Sequence, residues 1–576
     1  MERKDIISLI IIFMFGALIM GLLSLGVWQG AKFRRLSDSN CIRLISQFGS
    51  RGNILDRNGE IIVGNKISYD VMILPQDLSH IDQALVLIGR ILNLEVKELK
   101  LAFKKNFISS SVPVTVATNI KLKDAILLGE HKVEQPSIIV DPKPLRYYPY
   151  GALACHVVGY VNEIDRWRLT KLEDYGYKTK DIVGFGGVEE KYDYYLRQEE
   201  GGLSVEVNHR GKFMRVLGFQ PPRNGKDVTL TIDLSMQKIV EENLSGRKGS
   251  VILMDSLNGE ILALANFPNF NPSIFVNQRN KLISGLLNDA NAPFLNRAIG
   301  SSYPPASVFK MVLAAAGLEL KKINTSTSFV CQGSTMVGAR RFNCWDVHGV
   351  QDVFQAIAHS CDVFFYKTGL LVGAQNIHDY ALKLGFGRNV GFELSGETSG
   401  FIPSPLWRKI NKFQNWFDGD TANLSIGQGD CLVTPLQATN MLAVFANRGY
   451  LLNPYIVKAV GGLDFSVKKK RLTPVPFKKN TFEVIAKGLV KVVSDPKGTG
   501  NVLSALPIKV AGKTGTAQVS RGATHAWFLG FFPVDKPKYV ICVFLENGGS
   551  GHAASVIAKQ IIEAMNNQGL LEAKVI

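Results

Sequence analysis

Residues 303–310 read Tyr-Pro-Pro-Ala-Ser-Val-Phe-Lys, and the apolar run 311–318 follows them directly. The two prolines favour an extended approach and a helix that begins just after them. Because the run is apolar on every side, the predicted helix is buried. Ser307 lies at its N-terminus, where backbone N–H groups and the helix dipole stabilise developing negative charge. This stretch therefore predicts a serine nucleophile.

Lys310 follows Ser307 by one helical turn on the same face and is the only cation of the run. Burial favours a neutral amine, which can take the serine proton. The alternative is a serine that only caps the helix. The same Ser-x-x-Lys spacing recurs without the prolines and the apolar helix; those copies begin at Ser235, Ser245, Ser466 and Ser494.

Residues 513–516 read Lys-Thr-Gly-Thr inside a strand-like run. Gly515 within a strand marks close approach by another backbone or by a ligand. Lys513 and the hydroxyls of Thr514 and Thr516 form a candidate site for a substrate carboxylate.

The tripeptide Ser-Cys-Asp at 360–362 offers a hydroxyl at Ser360 and a carboxylate at Asp362. It lies in the segment 352–372, which has a helical pattern. In isolation, a serine on a helix face is the ordinary interpretation of this tripeptide.

Strand patterns occupy both ends of the region after residue 230, and helical patterns lie between them. A hairpin is predicted around Asn258-Gly259, which is a strong turn signal. This order favours an α+β fold in which the two ends close one antiparallel sheet around a helical insertion. The predicted strands are 249–255, 260–265, 508–519, 526–532 and 539–545, and the helices include 307–319, 352–372 and 481–494.

Ser-x-x-Lys, Ser-x-Asn/Asp and Lys-Thr-Gly, in that order, are the signature of penicillin-binding proteins and serine β-lactamases, and all three are present here. Over nearly its whole length the chain resembles a class B penicillin-binding protein, and most of all the elongation type. Division-type relatives usually carry Asn at the position of Asp362. Ala306 and Val308 depart from the usual Gly and Thr. The similar stretches are 51–59, 187–190, 296–298, 342–345, 426–429, 434–437 and 525–528.

The resemblance implies a D,D-transpeptidase that cross-links peptidoglycan stem peptides through a serine acyl-enzyme and is acylated by β-lactams. It implies that Ser307 attacks the penultimate D-alanine carbonyl, with Lys310 as the base. Ser360 would relay protons to the leaving amine. Asp362 would orient these hydrogen-bonding groups, and Lys513 would adjust the electrostatic field around them. The terminal carboxylate would bind Thr514 and Thr516, and the N–H groups of Ser307 and Thr516 would form the oxyanion hole.

A run of 22 residues without a charge, 6–27, is long enough to cross a membrane as an uncleaved helix. Flanking charges leave its orientation open, so we choose a large outer domain from the chemistry above. The expected domains are 1–30 (tip and transmembrane anchor), 31–230 (an elongated mixed pedestal) and 231–576 (the transpeptidase domain with a five-stranded antiparallel sheet). We expect a single-pass protein of the bacterial inner membrane with its large domain on the periplasmic side.

Cys331, Cys344, His348 and Cys361 lie within 31 residues, spaced C-x12-C-x3-H-x12-C. Three thiolates and an imidazole suit tetrahedral zinc. Some elongation-type relatives resemble this in having a zinc site of Asp, His and Cys in the same region. A Cys331–Cys344 disulfide or buried free thiols are the alternatives. Zinc would be structural, and the chemistry requires no cofactor.

The net charge of +17 suggests an anionic partner. The densest basic run, 468–471, has no interleaved aromatics, so we expect no nucleic-acid partner. Expected partners are lipid-linked stem peptides, β-lactams and a membrane glycan polymerase of the shape, elongation and division type. Alternative functions are a D,D-carboxypeptidase, a β-lactamase-like hydrolase, and a non-catalytic β-lactam sensor or scaffold.

Overall fold

The computed structural model describes residues 3–75, 81–107, 112–207, 213–277, 279–469, 472–519 and 523–571. Lys470 and Arg471 of the basic run lie outside these residues. The chain forms two compact units. The smaller holds Met1–Arg51, Asn65–Leu145 and Arg197–Gly225, and the larger holds Gly52–Gly64, Arg146–Leu196 and Lys226–Ile576. The expected pedestal range, 31–230, therefore contributes residues to both units.

The smaller unit begins with a helix that has no buried residue. It runs over Arg3–Leu23 and continues as a π-helical turn, Ser24–Trp28. Its length and apolar composition are sufficient to cross a hydrocarbon core. An apolar helix exposed on all sides is stable in lipid and not in water, which supports the predicted anchor.

The rest of the smaller unit is mixed, with a core around Val71, Leu85 and Ile88. The strand Ile61–Ile73 begins in the larger unit and ends in this one. The other helices are Gly30–Cys41, Ile81–Leu92, Val96–Asn106 and Leu122–Glu130; the other strands are Ile42–Gln47, Val114–Ile120, Gly201–Val207, Phe213–Gln220 and Ile138–Tyr147, whose last two residues belong to the larger unit.

The larger unit contains the three sequence motifs. Its helices are Cys155–Val158, Arg166–Leu172, Gly187–Lys191, Asp193–Leu196, Leu234–Leu244, Ser273–Val276, Asn280–Leu287, Lys310–Glu319, Val353–Ala358, Asp362–Val372, Ala374–Lys383, Pro405–Asn411, Asp418–Ser425, Pro435–Ala446, Ser466–Lys469, Lys479–Ser494 and Gly551–Asn567. Turns of 3-10 helix cover Glu173–Tyr175, Ala306–Phe309 and Asn501–Ala505. Its short strands are Ile54–Leu55, Tyr160–Glu163, Ile182–Phe185, Val228–Leu230, Phe329–Cys331, Ser334–Val337, Arg340–Asn343, Gly349–Gln351, Tyr450–Leu452, Val457–Val460, Leu463–Asp464 and Leu472–Pro474.

A five-stranded antiparallel sheet forms the centre of the larger unit, as the sequence predicted. Gly249–Asp255 pairs with Tyr539–Leu545, so the two ends of the domain meet in the sheet. In spatial order the strands are Ile261–Phe267, Gly249–Asp255, Tyr539–Leu545, Thr524–Phe532 and Ala511–Gln518. The edge strand Ala511–Gln518, here called the KTG strand, carries Lys513–Thr516 and begins three residues later than predicted.

Both faces of this sheet are buried, which explains why its strands other than the KTG strand are mostly apolar rather than alternating. Val251 and Leu253 point to a core shared with Leu234–Leu244 and Gly551–Asn567. Ile252 and Met254 point to the opposite core, which contains the fully buried helix Pro435–Ala446. The sheet is therefore held rigidly between two helical layers.

The predicted helix 352–372 is wrong in one important detail, because the chain forms two helices, Val353–Ala358 and Asp362–Val372. Between them Ser360 takes a left-handed backbone conformation at φ +55°. Helical periodicity continues through the break, so the sequence pattern did not reveal it. Ser360 consequently lies at a bend and not on a helix face.

Candidate active site

Ser307 lies in the 3-10 turn Ala306–Phe309, here called the serine turn. The backbone N–H of Lys310 donates to the Ser307 carbonyl and joins this turn to the helix Lys310–Glu319. The residues on either side of Ser307 are buried, whereas Ser307 itself is half-buried. A reactive hydroxyl is thus presented at the surface by a rigid element.

The backbone at Gly427 packs against the serine turn. Ala306 is left-handed at φ +50°, and its N–H donates to the Gly427 carbonyl at 3.0 Å. Gly427 is also left-handed, at φ +67°, and a Cβ there would lie 2.4 Å from the Ala306 carbonyl oxygen. Only glycine permits this close approach.

The ammonium group of Lys310 connects the first and second motifs. Its Nζ donates to Ser360 Oγ at 3.1 Å, to the Ser360 carbonyl oxygen at 2.7 Å and to Asp362 Oδ1 at 2.6 Å. Lys310 is fully buried. The Lys310 amine therefore has three acceptors within hydrogen-bonding distance, one of them the Asp362 carboxylate.

The bend at Ser360 places these acceptors. The left-handed conformation of Ser360 ends the first helix, and Asp362 begins the second one. Both side chains therefore reach Lys310, which lies 50 residues away in sequence. A continuous helix would have placed Ser360 and Asp362 on different faces, since two residues span about 200° of a helix turn.

Lys513 is fully buried in the KTG strand, and its Nζ donates to the Thr514 carbonyl at 3.1 Å. Burial, and then the positive charge of Lys310, hold the pKa of Lys513 well below its usual range, while Asp362 acts in the opposite direction. The two lysines are therefore close enough to influence each other electrostatically.

The KTG strand lies directly against the serine turn, as its glycine predicted. A Cβ on Gly515 would be 3.3 Å from both the Pro305 carbonyl oxygen and Val308 Cγ1. The Trp527 indole on the next strand donates to the Pro304 carbonyl at 3.0 Å. The third motif therefore lies against the serine turn, through the close approach at Gly515 and the Trp527 side chain.

Sequence reasoning missed the groups that orient the two threonine hydroxyls. Thr514 Oγ1 lies 2.7 Å from Thr499 Oγ1, and Thr516 Oγ1 accepts from the Gly551 N–H at 2.9 Å. That acceptance leaves the Thr516 hydroxyl proton free to donate to a ligand. Thr499 lies between two glycines in sequence, and Gly551 follows a Gly-Gly-Ser run. Such glycine-rich stretches indicate unusual backbone conformations. They do not indicate that Thr499 contacts Thr514 or that Gly551 contacts Thr516.

The predicted metal ligands converge beside the second motif. One ligand atom each of Cys331, Cys344, His348 and Cys361 lies within 4.8 Å of the others. His348 Nδ1 is 3.6 Å from Cys331 Sγ and 3.5 Å from Cys344 Sγ. Tetrahedral zinc with thiolates at about 2.3 Å separates ligand atoms by roughly 3.8 Å, so the set fits zinc after a small contraction.

One covalent and one hydrogen-bonded link connect this cluster to the second motif. Cys361 stands between Ser360 and Asp362, and Cys344 Sγ accepts from the Asp362 N–H at 3.2 Å. Hydrogen bonding from Cys361, and then from backbone N–H groups, lowers the pKa of Cys344. A thiolate there is a ready metal ligand. The described cysteines form no disulfide.

Two family profiles match the chain. Residues 249–563 match the "Penicillin binding protein transpeptidase domain", and residues 46–230 match the "Penicillin-binding Protein dimerisation domain". The chain belongs to the penicillin-binding protein transpeptidases. The resemblance found from the motifs is confirmed, and so is the expected pairing of a pedestal-type domain with a transpeptidase domain.

Among curated relatives, this penicillin-binding protein is 30% identical to the peptidoglycan D,D-transpeptidase MrdA of Escherichia coli K12, covering 97% of this chain and 93% of the relative. It is also 30% identical to MrdA of Acinetobacter baumannii, covering 94% and 84%. These relatives place it with the elongation-type, PBP2-like members, as the sequence predicted.

Solved structures agree with the fold. A "Complex between Penicillin-Binding Protein (PBP2) and MreC from Helicobacter pylori" superposes with a TM-score of 0.81 at 28% identity, covering 92% of this chain and all of that one. A "peptidoglycan synthase complex" that coordinates polymerization and crosslinking superposes at 0.75 and 28% identity, covering 100% of this chain and 99% of that one.

Proposed function

We propose that this protein is a membrane-anchored peptidoglycan D,D-transpeptidase of the elongation type. The observation that carries the proposal is the convergence of Lys310, Ser360 and Asp362 beside the half-buried Ser307, with the KTG strand packed on the same turn. This arrangement supplies a nucleophile, a proton-transfer network and a carboxylate site in one place.

In acylation, Ser307 Oγ forms a bond to the penultimate D-alanine carbonyl carbon and the bond to the terminal D-alanine nitrogen breaks. Lys310 passes a proton through Ser360 Oγ, 3.1 Å away, to the leaving amine and takes the proton of Ser307. Asp362 Oδ1, 2.6 Å from Lys310 Nζ, orients this network. An acceptor amine then attacks the acyl-enzyme, and the reverse proton path releases Ser307.

The hydroxyls of Thr514 and Thr516 bind the terminal carboxylate of the donor peptide. Thr516 is held as a donor because the Gly551 N–H occupies its oxygen. The backbone N–H groups of Ser307 and Thr516 stabilise the oxyanion.

The anchor and outer domains set the location and the partner. We place the large domain on the outer side of the inner membrane, since lipid-linked stem peptides are used there. We assign the domains as 1–30, 31–230 and 231–576. The polymerase–transpeptidase assembly among the similar structures supports a membrane glycan polymerase as the partner, with the anchor and pedestal as its contact surface.

Mass spectrometry of the full-length protein after treatment with penicillin tests the chemistry. We expect one stable adduct on the peptide that contains Ser307. With lipid-linked glycan and the partner polymerase, cross-linked dimers should form. Rapid loss of the adduct would indicate a β-lactamase, trimmed monomers without dimers would indicate a carboxypeptidase, and absence of any adduct would contradict the proposal.

We further propose that Cys331, Cys344, His348 and Cys361 hold one structural zinc ion. Bound zinc would hold Cys344 and Cys361 together and so fix the bend at Ser360 and the start of the helix at Asp362. Nδ1 of His348 is the nitrogen that faces the thiols. The ion takes no part in the bond-making steps.

Metal analysis of the purified full-length protein should find close to one zinc ion per chain, and Cys361→Ser should reduce it to less than about 0.2. Cys431→Ala is the matched control, because Cys431 is equally buried outside the cluster, and it should retain zinc. Less than about 0.2 zinc in the unmodified protein would contradict the site; two oxidised thiols in that case would establish the disulfide alternative.

A further inference from the structure

A hairpin rises from the metal cluster at the second motif. It consists of the strands Ser334–Val337 and Arg340–Asn343. The residue after its second strand, Cys344, accepts a hydrogen bond from the Asp362 N–H, and the Asn343 carbonyl accepts one from the Tyr366 hydroxyl at 3.3 Å. Its base is therefore fixed to the helix that positions Asp362.

The inner face of the hairpin packs against two helices of the larger unit, Asp362–Val372 and Asp418–Ser425. The Phe342 ring contacts the Tyr366 ring at 5.4 Å between centroids. A Cβ on Gly419 would be 3.4 Å from Phe342 Cζ. Gly419 belongs to the helix Asp418–Ser425, which leads directly to Gly427 and its bond to Ala306. The hairpin thus stands at the edge of the catalytic centre.

The end of the hairpin beside its turn is basic, with Arg340 on the same face as Phe342 and Arg341 on the opposite face. Arg340 and Arg341 are exposed, and residues 334–343 include no Asp or Glu. Neither arginine makes an ion pair or side-chain hydrogen bond with any residue that the structure describes. At about 3.3 Å per residue, Arg341 lies roughly 7 Å along the strand from Asn343.

We propose that Arg340 and Arg341 bind side carboxylates of the stem peptide during cross-linking. This inference rests on the proposed function and names a specificity surface for it. The guanidinium groups supply the fork that matches a carboxylate. Thr514 and Thr516 on the KTG strand bind the terminal carboxylate of the peptide. The hairpin arginines therefore bind carboxylates elsewhere in the peptide. Penicillin contains no stem peptide, so its reaction with Ser307 does not require the hairpin.

The test compares the double variant Arg340→Glu/Arg341→Glu with the unmodified full-length protein. With lipid-linked substrate whose stem carboxylates are free, and with the partner polymerase present, we expect the cross-linking rate to fall about tenfold. With the same substrate amidated at its side carboxylates, the two proteins should differ by less than about twofold. Because the contact is exposed, the tenfold difference should shrink as salt is raised.

Lys487→Glu/Lys491→Glu is the matched control, because it makes the same charge change on the exposed side of the helix Lys479–Ser494; it should leave cross-linking unchanged. Penicillin acylation should stay within about twofold in both variants. Equal loss with free and amidated substrates, slower penicillin acylation, or undiminished cross-linking in the arginine variant would each overturn the inference. If the unmodified protein forms neither adduct nor cross-link, the proposed function itself fails.

Discussion

Replacement of Lys310 with methionine should slow the acylation of Ser307 by labelled penicillin by about 10³-fold. Methionine has a similar volume but can neither exchange a proton with Ser307 nor donate to Ser360 and Asp362. The measurement is the rate of covalent labelling at fixed penicillin concentration. Lys238→Met is the control, since Lys238 belongs to another Ser-x-x-Lys copy, and it should label at the normal rate.

The same substitution leaves the Asp362 carboxylate without its counter-charge, which destabilises the fold by about 3–5 kcal/mol. The double variant Lys310→Met/Asp362→Asn should recover much of that stability without recovering acylation. Thermal unfolding and labelling of the same samples separate the two effects. Normal labelling by either variant would show that Lys310 is not part of the proton path.

The substitution Gly427→Ala should damage both stability and chemistry. Its Cβ would lie 2.4 Å from the Ala306 carbonyl oxygen and 2.7 Å from Phe309 Cβ, at a backbone φ of +67°. The clash and the strain together cost about 3–5 kcal/mol, which corresponds to a thermal midpoint lower by about 5–10 °C. Displacement of the serine turn should also slow penicillin acylation by about 10²-fold.

Gly429→Ala isolates the role of the clash. Gly429 has a similar φ of +76°, but a Cβ there meets only Asn423 Cβ at 3.8 Å. Its cost is the left-handed strain alone, so the midpoint should fall by only about 2–4 °C and acylation should be nearly normal. Equal effects of the two substitutions would show that Gly427 does not support the serine turn.

The strands that form the central sheet were predictable because burial on both faces leaves an uninterrupted apolar run. The sequence also placed Lys513 and Gly515 inside a strand. A glycine within a strand was enough to predict the close approach of another segment at Gly515. The break at Ser360 was not predictable, because the helical pattern runs through it and the left-handed conformation depends on distant partners.

Thr499, Gly427 and Gly551 show the same limit. Each touches a motif residue that is remote in sequence or on another element, and each contact is a single hydrogen bond or a missing Cβ. Neither composition nor periodicity records such a contact. Only the packed structure identifies which glycine, among many, faces the serine turn.

The sequence by itself determined the chemical groups of the site, the membrane-length apolar helix and the family, because these depend on residue type, order and local hydrophobic pattern. The tertiary structure alone decided how the groups are used. Lys310 contacts Ser360 and Asp362 because a bend in the chain 50 residues away brings both residues to it. The four predicted zinc ligands form one cluster because two short strand pairs and the second-motif helix converge. Hydrogen-bond partners and ligand geometry are properties of contacts, and contacts between distant residues exist only in the folded chain.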